Sequence, residues 1–483
     1  MERAITFLLN QDVSRLSLPS GLAVLDLLRR ERRLTGTREG CREGDCGACM
    51  VLLGEPKGGE IRYRAVNSCL LPVGELEGRH LVTIEGLNPP SGREPELNPI
   101  QRCFVEEGAT QCGFCTPGFI VSLTGWFLGG PAPSLEQALD AVAGNLCRCT
   151  GYASIRSAVQ RLLEQFQALP EQEALERCVG WGVVQPWMLE APARLEALRA
   201  EPGTGGAAAA SAGVGTGKPV LVAGGTDLFV QRPDALQDAP LIFLSGRGLS
   251  NTWVQEGRRF LGATLPMEDL CALPPFGEYL PCVASGPVRQ RATVVGNLVN
   301  ASPIGDFTIM LLALGASLGI RGPAGMRELA LPKFFRGYKD LDLAEEEVVE
   351  WVAFPEPPPG SFHFEKVARR QNLDIASLNA AGVLTADGGR VREARLAAGG
   401  VAPVPLYLGL ASGYLSGRDV SPAALSQTLR LAQEEAAPIS DVRGSADYRR
   451  QLLKRLLIAI FLRLLPQAFS PEAAAAMLAG GPA

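Results

Sequence analysis

Gln111-Cys112-Gly113-Phe114-Cys115-Thr116-Pro117-Gly118 and, after two helical patterns, Gly144-Asn145-Leu146-Cys147-Arg148-Cys149-Thr150-Gly151-Tyr152 decide how the chain is read. They set four cysteines as a C-x2-C pair and a C-x-C pair, each at the edge of a helical pattern. Thr116 predicts an N-cap and Pro117 the first helical position, where a missing N–H costs nothing. The apolar run Phe119 to Leu128 predicts a buried helix. Its N-terminus turns partial positive charge towards Cys112 and Cys115, which favours thiolate over thiol. Ser134 and Gln137 form a capping-box pattern; Leu135, Ala138, Leu139 and Val142 share one face of a second helix, which Gly144 ends. Two helix ends thus carry two ligands each, and Cys112, Cys115, Cys147 and Cys149 suit a four-thiolate metal site, with structural zinc as the alternative to iron–sulfur.

Upstream lies a second cysteine loop, Gly40-Cys41-Arg42-Glu43-Gly44-Asp45-Cys46-Gly47-Ala48-Cys49, with Cys69 as a fourth donor. C-x4-C-x2-C is the plant-type ferredoxin spacing for a [2Fe–2S] cluster. Glycines at 40, 44 and 47 let the backbone fold round inorganic sulfur and aim N–H groups at it. A zinc knuckle and unliganded core cysteines are the alternatives. The runs Ile5 to Asn10, Met50 to Leu53 and His80 to Ile84 read as strands around an apolar helix pattern at Leu22 to Leu28. Residues 1–85 therefore form a small β-rich domain, and 86–165 a helical one. Two adjacent clusters can relay electrons.

Lys+Arg number 46 and Asp+Glu 51 in 483 residues, with no basic block, which excludes a nucleic-acid surface. No apolar run is long enough for a membrane span, and the start, Met1 to Phe7, reads as a strand instead of a signal peptide. Twelve cysteines in such a chain point to metal ligands more than disulfides, and to a soluble cytoplasmic protein. Cys103, Cys178, Cys271 and Cys282 are core or incidental, and neither His80 nor His363 is assigned a role.

Residues 166–218 read as a linker. Its end, Gly213-Val214-Gly215-Thr216-Gly217-Lys218-Pro219, departs from a phosphate-binding loop at Ala212 and Pro219. A domain over 219–357 opens with Val220-Leu221-Val222-Ala223-Gly224-Gly225-Thr226-Asp227-Leu228: strand, glycine turn, then a further segment. Paired glycines at a strand end permit close approach to a pyrophosphate. A second polar turn comprises Thr293-Val294-Val295-Gly296-Asn297 and Asn300-Ala301-Ser302-Pro303-Ile304-Gly305-Asp306, before a buried helix that Asp306 could cap. Together they suggest a nucleotide cofactor held outside any dinucleotide Rossmann unit. Residues 358–483 form an α+β domain with strands at Phe362 to Val367 and Arg395 to Ala398 and a long helix at Tyr448 to Leu465. Lys366 reads on its own as a surface lysine.

These motifs, with Val288-Arg289-Gln290-Arg291-Ala292-Thr293 and Ser440-Asp441-Val442-Arg443, resemble the xanthine dehydrogenase family of molybdenum hydroxylases. The likeness is to the iron–sulfur/FAD subunit of the bacterial enzymes. The resemblance implies a multidomain α+β chain: a β-grasp ferredoxin-like domain, a helical-bundle [2Fe–2S] domain, an α+β FAD-binding domain and a C-terminal α+β domain. It implies two [2Fe–2S] clusters, on Cys41, Cys46, Cys49 and Cys69 and on Cys112, Cys115, Cys147 and Cys149. It further implies FAD contacts at Leu221, Val222, Ala223, Gly224, Gly225, Thr226, Asp227, Leu228, Thr293, Gly296, Asn297, Ser302, Asp306, Val349 and Lys366. A partner subunit carrying molybdopterin is expected, in a dimer of heterodimers, with Gln111 and Cys149 at the interface. Purine hydroxylation there would send electrons through the helical-domain cluster, the ferredoxin-like cluster and FAD to NAD+. On this reading the chain cannot hydroxylate a substrate alone, and no residue of it is catalytic.

Two departures from the family pattern bear on the flavin. Val295 stands where relatives often have glycine, and Gln371-Asn372-Leu373 precedes Asp374-Ile375 where relatives have an acidic or aromatic residue. Val295 brings side-chain bulk near the flavin pyrophosphate, while the 371–375 segment lies in the family near the flavin ring and bears on NAD+ access, so NAD+ is the expected acceptor with ferredoxin and oxygen as alternatives. Alternatives of other kinds are the electron-transfer subunit of an aldehyde or N-heterocycle hydroxylase, a stand-alone iron–sulfur flavoprotein reductase, and a zinc-stabilised interaction protein.

Overall fold

The structure is a computed structural model that describes residues 4–88, 96–130, 134–166, 173–201, 218–370 and 372–478. It divides into two compact units, Met1–Gly248 with Ser285–Ala292, and Leu249–Ala284 with Thr293–Ala483.

In the first unit, β1 (Ile5–Leu9), β2 (Asp12–Leu16), β3 (Met50–Lys57), β4 (Glu60–Asn67) and β5 (His80–Val82) form one sheet in the order β2-β1-β5-β3-β4. β1 and β5 run parallel at its centre, and two antiparallel hairpins flank them. The strand patterns at Ile5, Met50 and His80 are borne out. The hairpin partners β2 and β4 were not read, because polar residues (Asp12, Arg15, Glu60, Arg62) interrupt their apolar pattern at the sheet edges. Above one face lies α1 (Val24–Asp26), which passes into a π-turn at Leu27–Glu31. Phe7, Val24, Leu27, Leu28, Val51, Leu53 and Val66 make that core.

Met50, Leu52, Tyr63 and Val82 on the opposite face join the helical part: α2 (Pro99–Glu106), α3 (Thr116–Leu128), α4 (Leu135–Ala141) and α5 (Ala153–Gln165). α3 is apolar all round and buried, as its sequence predicts. It lies so close on β4 that a side-chain carbon at Gly125 would meet Ala65 Cβ at 2.7 Å. The expected linker is corrected over its first half. α6 (Ala174–Gly180) and α7 (Ala191–Ala200) are helices, with Cys178, Val183, Val184 and Met188 inside the helical core. Their apolar residues are sparse among glutamates and arginines, which hid the period. The Gly213–Lys218 stretch lies outside the described residues, save Lys218 itself. Next come β6 (Val220–Val222), α8 (Thr226–Gln231), α9 (Pro233–Gln237), β7 (Leu241–Phe243), parallel to β6, and the short α10 (Gly286–Arg289).

In the second unit, β8 (Thr252–Gln255) and β9 (Arg258–Gly262) lead to α11 (Val294–Val299) and the buried α12 (Asp306–Ala313). β10 (Ser317–Gly322), β11 (Gly325–Ala330), the small pair β12 (Phe335–Gly337) and β13 (Asp340–Leu341), and β14 (Val348–Pro355) follow; one sheet runs β11-β10-β14-β9-β8. A second sheet, β15 (Phe362–Val367), β16 (Leu378–Asp387), β17 (Arg390–Gly399) and β18 (Leu406–Tyr407), is antiparallel throughout. α13 (Gly409–Leu415), α14 (Pro422–Glu435), α15 (Ala446–Leu464) and α16 (Pro471–Leu478) share its core. β15 and α15 match the strand and long helix read from sequence. Among the described residues, no helix is long and apolar enough to cross a membrane.

Candidate redox site

The eight motif cysteines assemble as two quartets, each made of two close pairs. In the first, Cys41 hydrogen-bonds Cys46, and the Cys49 and Cys69 sulfurs stand 3.3 Å apart. Cys41 is also close enough to act electrostatically on both Cys49 and Cys69. In the second, Cys112 and Cys149 are 3.6 Å apart, Cys115 hydrogen-bonds Cys147, and Cys147 acts on Cys112 and Cys149. Among the described residues, no three His, Cys, Asp or Glu side chains converge as a single-ion site. Two thiol pairs facing each other fit a two-iron cluster, in which each iron takes two protein sulfurs. The backbone closes tightly on this quartet: at Gly40 a side-chain carbon would meet Cys46 Sγ at 2.6 Å.

Local electrostatics favours thiolate at some positions only. The Cys46 thiol, then N–H groups of Glu43, Cys46 and Asp45, hold Cys41 down at about 5. Against the burial that raises it, Thr150 and nearby N–H groups hold Cys147 below its ordinary value. Burial, then Cys147, pushes Cys115 up to about 12, so the helix end expected to deprotonate it does not suffice alone. That helix end also differs in detail. Cys115 itself is the N-cap and Thr116 the first helical residue, its hydroxyl turned to Thr110 at 2.8 Å. Ser134 caps α4 as read, accepting from Gln137 N. Arg42, inside the first loop, forks Asp26 at 2.9 and 2.7 Å and Glu39 at 2.7 and 3.0 Å, pinning the loop to α1.

The two quartets touch through backbone. Leu146 N donates to Cys46 O at 3.0 Å, and the Asn145 side chain donates to Gly47 O at 3.0 Å while accepting from Ser122 Oγ at 2.9 Å. Gly47 has φ +63, and a side chain there would meet Asn145 Nδ2 at 2.4 Å. On the far side, Cys49, Cys69 and Leu70 share a core with Val222, Phe229 and Phe243 of β6, α8 and β7. Cys112 and Cys149 are exposed, beside exposed Phe114, Leu146 and Tyr152.

The residues expected to hold FAD fall into two sets. In the first unit, Leu221 to Leu228 run from β6 through the turn into α8, as read, with Gly225 left-handed at φ +76. The close approach at Gly224 is to the chain's own backbone, since a side-chain carbon there would meet Arg291 O at 2.1 Å. In the second unit, Lys366 is no surface lysine. It bonds Asp306 Oδ2 and Cys282 O, both at 2.7 Å, and the two charged side chains are only 7% and 10% exposed. Burial raises the Asp306 pKa above the ordinary value, against the pull of Lys366 and of Asn379, which donates to its other oxygen. Asn379 was missed: it is 73 residues from Asp306, and no local pattern marks it. Asp306 does not cap α12; Gly305 is the N-cap. Thr293 caps α11 through Gly296 N, and Asn297 Oδ1 accepts from Thr308 Oγ1. Ser302 is partly exposed, whereas Val349 and Val295 are buried, at 3% and 6% exposure, within this unit's own packing.

Four domain models match the chain in order. Residues 9–74 match a 2Fe-2S iron-sulfur cluster binding domain and 83–160 a [2Fe-2S] binding domain. Residues 206–357 match the FAD binding domain in molybdopterin dehydrogenase, and 363–464 the CO dehydrogenase flavoprotein C-terminal domain. Xanthine dehydrogenase 1 of Arabidopsis thaliana is 28% identical over 92% of this chain and 38% of its own length. Aldehyde oxidase 1 of Rattus norvegicus is 27% identical over 92% of this chain and 38% of its own length. The chain thus spans about 38% of the length of these relatives. Reconstituted CO dehydrogenase from Oligotropha carboxidovorans is 27% identical, covers 52% of this chain and 91% of its own, and has a TM-score of 0.48.

Proposed function

We propose that the chain is the electron-transfer part of a molybdenum hydroxylase, of the xanthine dehydrogenase type. Cys41, Cys46, Cys49 and Cys69 hold one [2Fe–2S] cluster; Cys112, Cys115, Cys147 and Cys149 hold the other. The observation that supports this most is the direct joining of the quartets, through Leu146 N to Cys46 O and Asn145 to Gly47 O. When bound, the clusters and FAD supply one-electron carriers and a junction to two-electron chemistry. The protein sets their order. The second quartet, with Cys112 and Cys149 exposed beside Phe114, Leu146 and Tyr152, presents an apolar face to a partner subunit carrying molybdopterin, with Gln111 at that face. The first quartet, through its buried Cys49 and Cys69, lies against the core of β6 and α8. The Ala223–Asp227 turn, flanked by Leu221, Val222 and Leu228, takes the FAD diphosphate. Thr293, Gly296, Asn297, Ser302, Asp306, Val349 and Lys366 supply further FAD contacts, on the strength of the family resemblance.

A purine, xanthine or hypoxanthine, is the proposed substrate at the partner's molybdenum, with NAD+ as acceptor, in a cytoplasmic dimer of heterodimers. The near-equal identity to an aldehyde oxidase, 27% over the same 92% of the chain, favours aldehyde or N-heterocycle oxidation as the second reading. The test is metal and flavin analysis of the anaerobically purified chain, with and without a co-expressed molybdenum subunit. About four irons and one FAD per chain are expected for two two-iron clusters. Xanthine should then reduce the flavin only in the complex. Zinc in place of iron, or a full iron complement with no flavin, overturns the reading; reduction by aldehydes but not purines selects the second.

A further inference from the structure

Under the Ala223–Asp227 turn lies a buried group of charges that the electron-relay reading leaves unused. Arg291, 8% exposed, donates from Nη2 to Gly224 O at 2.9 Å, and its Nη1 lies 3.6 Å from Glu75 Oε2. Glu75, fully buried, also accepts from Ser245 Oγ at 2.9 and 3.0 Å and pairs with Arg79. Arg79 reaches Glu55 at 3.2 Å, and Arg64 lies 3.8 Å from the same carboxylate. Arg62 also acts on Glu55, which is 31% exposed, and Arg199 lies close to Arg79, so guanidinium groups outnumber the two carboxylates and leave an excess of positive charge. Burial keeps it from being screened as a surface charge would be.

Arg291 grips the turn at two points. Its own carbonyl lies against the Gly224 α-carbon, leaving no room for a side chain, and its guanidinium holds the Gly224 carbonyl. A peptide unit is planar and trans, so its C=O and N–H point in opposite directions. With the Gly224 carbonyl drawn towards Arg291, the Gly225 N–H is aimed away from it, out of the turn. We infer that Arg291 is a positioning residue for the FAD diphosphate: it orients the Gly224–Gly225 peptide and, with Arg64 and Arg79, sets buried positive charge beneath the site of a dianion. The inference rests on the reading that this turn takes the diphosphate.

The test is titration of the flavin-stripped full chain with FAD, ADP and riboflavin, at two salt concentrations, for wild type, Arg291→Gln and Arg291→Lys. Arg291→Gln is expected to weaken FAD and ADP by about tenfold to a hundredfold, the usual worth of a charged hydrogen bond. Riboflavin, which lacks the diphosphate, should bind as before, with iron content and cluster absorption unchanged. Arg291→Lys keeps the charge without the fork and should retain more FAD affinity than the glutamine variant. Equal loss of FAD and riboflavin, or FAD binding within about threefold of wild type, overturns the inference. If Arg291→Gln loses its iron, the lysine variant decides: FAD affinity equal to wild type overturns the inference, and selective weakening of FAD and ADP supports it. Wild-type chain with full iron that binds neither FAD nor ADP sinks the underlying reading instead.

Discussion

Asn145→Ala should loosen the two cluster loops from each other without touching a cysteine. Asn145 is 2% exposed; its amide donates to Gly47 O at 3.0 Å and accepts from Ser122 Oγ at 2.9 Å. Truncation orphans one buried carbonyl and one buried hydroxyl, each costing about 1–3 kcal/mol, so about 2–6 kcal/mol in all. Ser122→Ala alone leaves the asparagine oxygen one partner short, at about 1 kcal/mol. The double variant should cost less than the two singles together, by about 1 kcal/mol, because the orphaned hydroxyl is gone. A chain with several domains does not unfold in one step, so the assay follows the visible circular dichroism of the clusters through a urea series. A cost for Asn145→Ala below about 0.5 kcal/mol, or strict additivity in the double variant, refutes the claim that this side chain locks the loops.

Lys366→Met leaves Asp306 buried without its counter-ion, held by Asn379 alone, and should destabilise the second unit by about 3–5 kcal/mol; Lys366→Met with Asp306→Leu should recover most of it, as read by calorimetry. Burial pushes His80 down to about 4, from an ordinary 6.5. Between those values the unfolded chain binds a proton that the folded chain does not, so stability falls as pH drops from 6.5 to 4. At about 1.4 kcal/mol per pH unit the loss is about 3 kcal/mol. His80→Gln should flatten that dependence in urea midpoints taken at pH 7.5 and 5; an unchanged slope assigns it to other groups. Cys112→Ser should lower iron from about four to about two per chain while the ferredoxin-like signal persists in electron paramagnetic resonance. Loss of both signals would contradict two independent quartets.

Cysteine spacing, glycine turns and apolar periods are local, so the sequence alone determined the two thiol quartets, the β6–turn–α8 unit, the buried α12 and the long α15. The turn and the helices depend on residues within a few positions of one another, where backbone geometry and period do the selecting; the quartets are legible from their closely spaced cysteine pairs, although Cys112 and Cys149 lie 37 residues apart. The edge strands β2 and β4 were not legible because polar residues interrupt their apolar pattern, and the helices α6 and α7 because their few apolar residues pack on partners far along the chain. The pairing of Asp306 with Lys366 and Asn379, the grip of Arg291 on Gly224 and the bridge of Asn145 to Gly47 were decided only by the tertiary structure. Each joins groups some 60 to 98 residues apart. What makes them strong is desolvation, and a sequence carries no record of which side chains will share a dry interior.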